Sequence, residues 1–172
     1  MLRILIPVAI GIPVLAGLPA ATEALALTFP GAELLRKEHV LTDTQAKRVR
    51  ALAQVDLPGH WIVVYEARRG GALMGYGFFD SHRVRTLNET LLVGISPEGQ
   101  ILRVEAVLFR EPDEYRAKAG WTGQFVGRRL DAELSLKGAI HPLSGATLTA
   151  HAMTDAARRS LALHRVLYGE AP

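Results

Sequence analysis

The spacing of apolar positions changes several times along the chain, and the changes divide it. After Arg3 an unbroken apolar run occupies residues 4–21. Residues 30–40 carry a short helical pattern with Leu34 and Leu35 apolar. Val49, Leu52 and Val55 then mark one face of a second helix through Gln54, with Asp43 or Thr44 as its cap and Pro58-Gly59 as its breaker. Residues 61–65 read as a buried strand, Arg69-Gly70-Gly71 as a turn and residues 72–79 as another strand. Gly75 and Gly77 inside that strand signal a bulge or the close approach of another element. Residues 84–96 and 101–109 form a hairpin around Pro97-Glu98-Gly99-Gln100, and the mixed alternation of its return strand predicts that both faces are at least half covered. Residues 121–126 suggest a short helix, and residues 130–136 are ambiguous. Beyond Pro142 a long amphipathic pattern runs to about Tyr168, with Met153, Ala156, Ala157, Leu161 and His164 on one face. Helices, then strands, then a helix predict an α+β domain: an antiparallel sheet with flanking helices.

At 172 residues, 49% hydrophobic and 22% charged, the chain fits one folded domain with a real core. Its net charge of +3 is spread over Arg68-Arg69, Arg83, Arg85, Arg128-Arg129 and Arg158-Arg159, which reads as solubility and docking charge. No nucleic-acid motif accompanies it, so nucleic acid is not an expected partner. The absence of cysteine excludes thiol catalysis, Cys-ligated zinc and iron–sulfur clusters. Arg3, the apolar run and the small-x-small sequence Ala24-Leu25-Ala26 predict a signal peptide, residues 1–26, cleaved after Ala26. The run is also close to bilayer-spanning length, so an uncleaved N-terminal membrane anchor is the alternative. Residues 27–60 then form an N-terminal helical segment and residues 61–172 the main domain, exported to the periplasm or the outer face of the cytoplasmic membrane.

The candidate chemistry sits in Ser144-Gly145-Ala146-Thr147-Leu148-Thr149, where the last helix should begin. Free amides and the positive end of the helix dipole favour an anion there, phosphate above all, and Gly145 and Ala146 leave the backbone uncovered. The plain alternative is an ordinary N-cap supplied by Ser144 or Thr147. A hydrolase reading with Ser144 as nucleophile lacks the Gly-x-Ser-x-Gly setting. The histidines, His39, His60, His82, His141, His151 and His164, are scattered without metal-ligand spacing.

The hairpin sequence Thr90-Leu91-Leu92-Val93-Gly94-Ile95-Ser96-Pro97-Glu98-Gly99-Gln100-Ile101 resembles the central hairpin of the FMN-binding domain. So do the Glu111-Pro112 corner, Gln124-Phe125-Val126-Gly127-Arg128 and, above all, the Ser144–Thr149 motif. This domain occurs in the C subunit of the sodium-translocating NADH:quinone reductase, in the G subunit of the Rnf complex, and in small stand-alone exported proteins, which the present chain is most similar to in length. The resemblance covers roughly residues 76–163. It implies FMN linked through its phosphate to the hydroxyl of Thr147, at the start of the C-terminal helix, by a magnesium-dependent flavin transferase that uses FAD. It further implies that Ser144, Gly145 and Ala146 shape the turn and that Leu148 and Thr149 flank it. Where the family usually has an acidic residue three positions before the Ser/Thr, this chain has His141, whose cation would lie near the phosphate. Glu111 occupies the corner near the flavin. Leu92, Leu108, Trp121, Phe125 and Leu148 are the apolar candidates for the isoalloxazine slot. The implied function is electron transfer between a membrane redox protein or cytochrome and an extracytoplasmic partner, the flavin supplying the redox chemistry. The competing expectation is an unflavinylated exported binding or assembly module of the same fold.

Overall fold

A computed structural model describes residues 19–169. Strands β1 (Glu33–Val40), β2 (Trp61–Arg69), β3 (Ala72–Arg83), β4 (Asn88–Ile95) and β5 (Ile101–Phe109) form one antiparallel sheet in that spatial order. Helix α1 (Pro19–Thr28) covers one face; α2 (Asp43–Ala53) and the long α4 (Thr147–Leu167) cover the other. The one-turn α3 (Ala119–Thr122) and the tight turn at Gly123–Phe125 lie along β5. The architecture is α+β, an antiparallel sheet with flanking helices.

Alternation along the strands separates two cores. Val64, Phe78, Leu91, Val93 and Ile95 pack with Val49 of α2, Met153, Ala157 and Leu161 of α4, and Phe125. On the reverse face Tyr65, Ala67, Leu92 and Val107 pack with Ala21, Ala24, Leu25 and Phe29. Strand β4 is therefore buried on both sides from Glu89 to Ile95, as its nearly continuous apolar sequence requires.

The glycines of β3 make room for α1. A Cβ on Gly77 would lie 2.7 Å from Leu25 Cδ2, and one on Gly75 would lie 2.4 Å from the Ile95 carbonyl oxygen and 2.9 Å from the Phe29 ring. The β2–β3 register also shifts between Ala67 and Arg68, beside Gly75. Both expectations for these glycines, a bulge and a close approach, are met.

Three expectations change. Residues 30–40 are not helical: β1 pairs with β2 from Glu33↔Arg68 to Val40↔Trp61, and Leu34 packs into the α1 layer. Sheet pairing overrides a weak local pattern, so residues 27–60 supply an edge strand and α2 to the same domain. The cap of α2 is Thr42, one residue earlier than expected, in a reciprocal capping box with Gln45. Residues 84–87 form a loop, and β3 instead extends to Arg83. The apolar run before residue 19 lies outside the described residues; a cleavage point after Ala26 falls inside α1. Among the described residues no helix is long and apolar enough to cross a membrane.

Candidate functional site

Thr147 is the first residue of α4. The chain reaches it through a turn in which Gly145 has φ +77°, a left-handed conformation that favours glycine, with nothing within 4 Å of where a Cβ would be. Ala146 is the N-cap, and no side chain caps the helix. Neither Ser144 nor Thr147 plays the capping role that was the plain alternative. Both are exposed. No acidic residue occupies the first turn of the helix, so nothing there opposes an anion.

A cavity of about 340 Å³ opens over this turn, lined by Gly145, Ala146, Thr147, Leu148 and Thr149 together with Arg85 and Tyr115. The Arg85 guanidinium lies 4.8 Å from the centre of the Tyr115 ring, a cation–π contact that orients it. Among the described residues its N–H groups have no hydrogen-bond partner. Arg85 sits in the β3–β4 loop, and Glu111 holds that loop. The Glu111 Oε1 atom accepts hydrogen bonds from the amides of Arg85 (3.0 Å), Thr86 (2.7 Å) and Leu87 (2.8 Å). The Leu87 and Thr86 amide bonds hold its carboxyl below the usual carboxylate range. Glu111 thus does not line the cavity; it positions the arginine that does.

The remaining motif residues divide. The Thr149 hydroxyl is buried and donates to the Tyr115 carbonyl at 2.8 Å, so it ties the helix start to the Asp113–Tyr115 turn. Leu148 is half exposed at the cavity wall. His141 and Trp121 come together outside the cavity. The Trp121 Nε1–H donates to the His141 carbonyl at 2.9 Å, and the His141 amide donates to Gln124 Oε1 at 2.7 Å. These bonds fix the backbone that leads into the motif, and the imidazole is exposed. Of the suggested slot residues, Leu92 belongs to the α1-side core and Phe125 is fully buried in the α4-side core. Leu148 alone among them lines the cavity with Thr147. Arg85 and Tyr115 were not legible as site residues, because nothing local in the sequence links them to Thr147.

No family model and no curated protein matches the chain.

A second polar constellation lies beneath α4. Arg159 and Asp80 form a two-pronged pair, Nε–Oδ2 at 2.6 Å and Nη2–Oδ1 at 2.9 Å. His82 bridges Asp80 Oδ1 (2.9 Å) and Glu89 Oε2 (3.0 Å), while Glu89 Oε1 has no partner among the described residues. Burial opposes ionisation of Asp80, but hydrogen bonds from His82 and Arg159 outweigh it and hold the carboxyl at about 2. Burial likewise opposes the imidazolium of His82, yet its two carboxylate partners raise it to about 9. The neighbouring Arg158 donates to the carbonyls of Ala53, Asp131 and Leu134. Arg158 and Arg159 are therefore internal struts, a correction to their reading as solubility charge. Among the described residues no group of His, Asp or Glu is arranged to hold a metal ion.

Proposed function

We propose that the protein is an exported flavoprotein that carries FMN through a phosphoester on Thr147. Electrons would pass between a membrane redox protein or cytochrome and an extracytoplasmic partner. The observation that carries this reading is the uncapped start of a 21-residue helix, with an exposed threonine hydroxyl as its first side chain and Arg85 in the same cavity. A phosphodiester keeps one negative charge. The amides of the first turn and the helix dipole favour it by on the order of 1 kcal/mol, and Arg85 adds a charge-assisted partner. The residues present fit the phosphate of that group.

Attachment exchanges a phosphoanhydride bond for a phosphoester. The Thr147 oxygen bonds to the FMN phosphorus of FAD, the bond to the AMP phosphate breaks, AMP leaves, and the hydroxyl proton is lost. A magnesium-dependent flavin transferase is the catalyst this reading requires. The bound flavin supplies reversible electron transfer. The chain's own residues anchor the phosphate, hold Arg85 through Glu111, and orient the helix start through Thr149 and Tyr115.

Co-expression with such a transferase tests the reading. The expected product is yellow, stays fluorescent through denaturing electrophoresis, and shows FMN mass on the peptide containing Thr147. Thr147→Ala removes the label. Colourless protein with an unmodified Thr147 under those conditions overturns it and favours the unflavinylated module.

A further inference from the structure

The ends of β1 and β3, the start of β2, the β3–β4 loop and the turn after β5 all lie at one end of the antiparallel sheet. That end gathers exposed large hydrophobics. Val40 is 78% exposed, Trp61 67% and Leu87 44%, and Leu148, at the cavity that also holds Arg85 of the β3–β4 loop, is 50% exposed. Val40 and Trp61 are cross-strand partners, so they form one projection. Arg83 and Arg110 are exposed beside them. Of the exposed acids at this end, Asp43 and Asp113 face His60 and Arg116, and Glu114 is exposed beside Asp113.

The direction of α1 says what this end meets. Phe29 packs at Gly75 and Leu25 at Gly77. Stepping back one helical turn therefore advances along β3 toward Arg83, and the start of α1 points to the same end of the sheet. The chain that enters α1 there is the apolar run of residues 4–18. An apolar segment leading directly to a rim of tryptophan, aliphatic tips and arginines matches a bilayer interface. Tryptophan prefers the headgroup level, and arginines meet anionic lipid.

We propose that this rim, Val40, Trp61, Leu87 and Leu148 with Arg83 and Arg110, is a surface that seats on an anionic lipid bilayer. It would place the Thr147 cavity next to the membrane, where a membrane redox protein is within reach. The rim does not depend on whether Thr147 carries FMN.

The chain has no cysteine, so single cysteines can be labelled cleanly. Val40→Cys, Leu87→Cys and, at the opposite end, Glu98→Cys would each carry an environment-sensitive fluorophore. The full chain is reconstituted in phosphatidylcholine vesicles with and without phosphatidylglycerol. Labels at 40 and 87 should brighten, shift to the blue and be quenched by brominated lipid when phosphatidylglycerol is present; the label at 98 should keep its aqueous emission. Arg83→Gln with Arg110→Gln should return the first two toward their values in phosphatidylcholine alone. Equal responses at all three positions, or no dependence on phosphatidylglycerol, overturn the proposal. So does shielding from aqueous iodide without quenching by brominated lipid, which marks a second copy of the chain as the occupant. Loss of flavin attachment with an intact lipid response would sink the functional reading and leave this one standing.

Discussion

Arg159 of α4 grips Asp80 of β3 with two hydrogen bonds, 2.6 and 2.9 Å long, in a site where both side chains are about nine-tenths buried. The contact links residues far apart in sequence and fixes the rotation of α4 on the sheet. That rotation determines where Thr147 emerges, three turns earlier on the same helix.

Breaking this pair from one side should be costly. Arg159→Met leaves the Asp80 carboxylate buried with His82 as its remaining partner, and such losses run on the order of 3–5 kcal/mol. Asp80→Asn together with Arg159→Met removes both charges and should be distinctly less destabilising than the sum of the single changes. Urea unfolding of the four proteins measures the coupling; additive effects would show that the pair contributes nothing specific.

Two histidines set opposite limbs of the stability profile. The folded pKa of His82, about 9, lies above the ordinary histidine value of 6.5. Its contribution is complete below pH 6.5 and is lost as pH rises through 9, on the order of 3 kcal/mol in total. His164 is the reverse case. Burial lowers it to about 4, and its Nε2 lacks a partner among the described residues. The unfolded chain takes up a proton below 6.5 that the folded chain refuses until about 4, so stability falls across that interval. Asp80 adds a further loss as pH drops through its depressed value of about 2. Urea midpoints should peak near pH 6.5. His82→Gln should flatten the alkaline limb and His164→Gln the acid one. A midpoint that stays level between pH 6.5 and 9 contradicts the account.

These internal charges mark where reading the sequence stops. The hairpin 88–109, α2 and α4 were legible because their apolar periods are strong and their turns carry Gly or Pro. Strand β1 was not: its sequence, Glu-Leu-Leu-Arg-Lys-Glu-His-Val, is that of a solvated edge, and only pairing with β2 makes it a strand. Arg159 looks like a surface residue until Asp80 is placed opposite it. The motif at Thr147 was visible as a helix start. Its arginine was not, because the place of Arg85 depends on how the β3–β4 loop folds back through Glu111; nor was its uncapped state, because Ser144 and Thr147 both offer a hydroxyl that could have capped it.

The α1–β3 contact leads to a prediction about processing. Gly75 has φ +151°, and an added Cβ would meet backbone at 2.4 Å. Gly75→Ala should therefore cost at least about 2 kcal/mol. The same packing makes Ala21, Ala24 and Leu25 part of the domain. Removing residues 1–26 would uncover Leu92 and the glycine row of β3. If the chain is exported as proposed, it is expected to retain these residues, as an anchored form does, and intact mass reads this directly. A mature N-terminus at Leu27 in a stably folded product would refute it.

The role given to Glu111 separates positioning from binding. Its carboxylate touches no cavity surface, yet it accepts three amides of the loop that presents Arg85. Glu111→Gln keeps the shape but replaces a charged acceptor with a weaker neutral one. Arg85→Gln removes only the guanidinium. If Arg85 meets the phosphate, both variants should slow flavin attachment to Thr147 under limiting transferase, while Thr147→Ser should still accept label. Glu111→Gln should also lower the thermal midpoint, because the loop loses its anchor; Arg85→Gln should leave it nearly unchanged, since the side chain is exposed. A purely structural site predicts the other pattern, in which label yield follows thermal stability across the series. Time courses of FMN incorporation, set beside melting curves of the same variants, therefore distinguish an arginine that meets the phosphate from one that merely lies nearby.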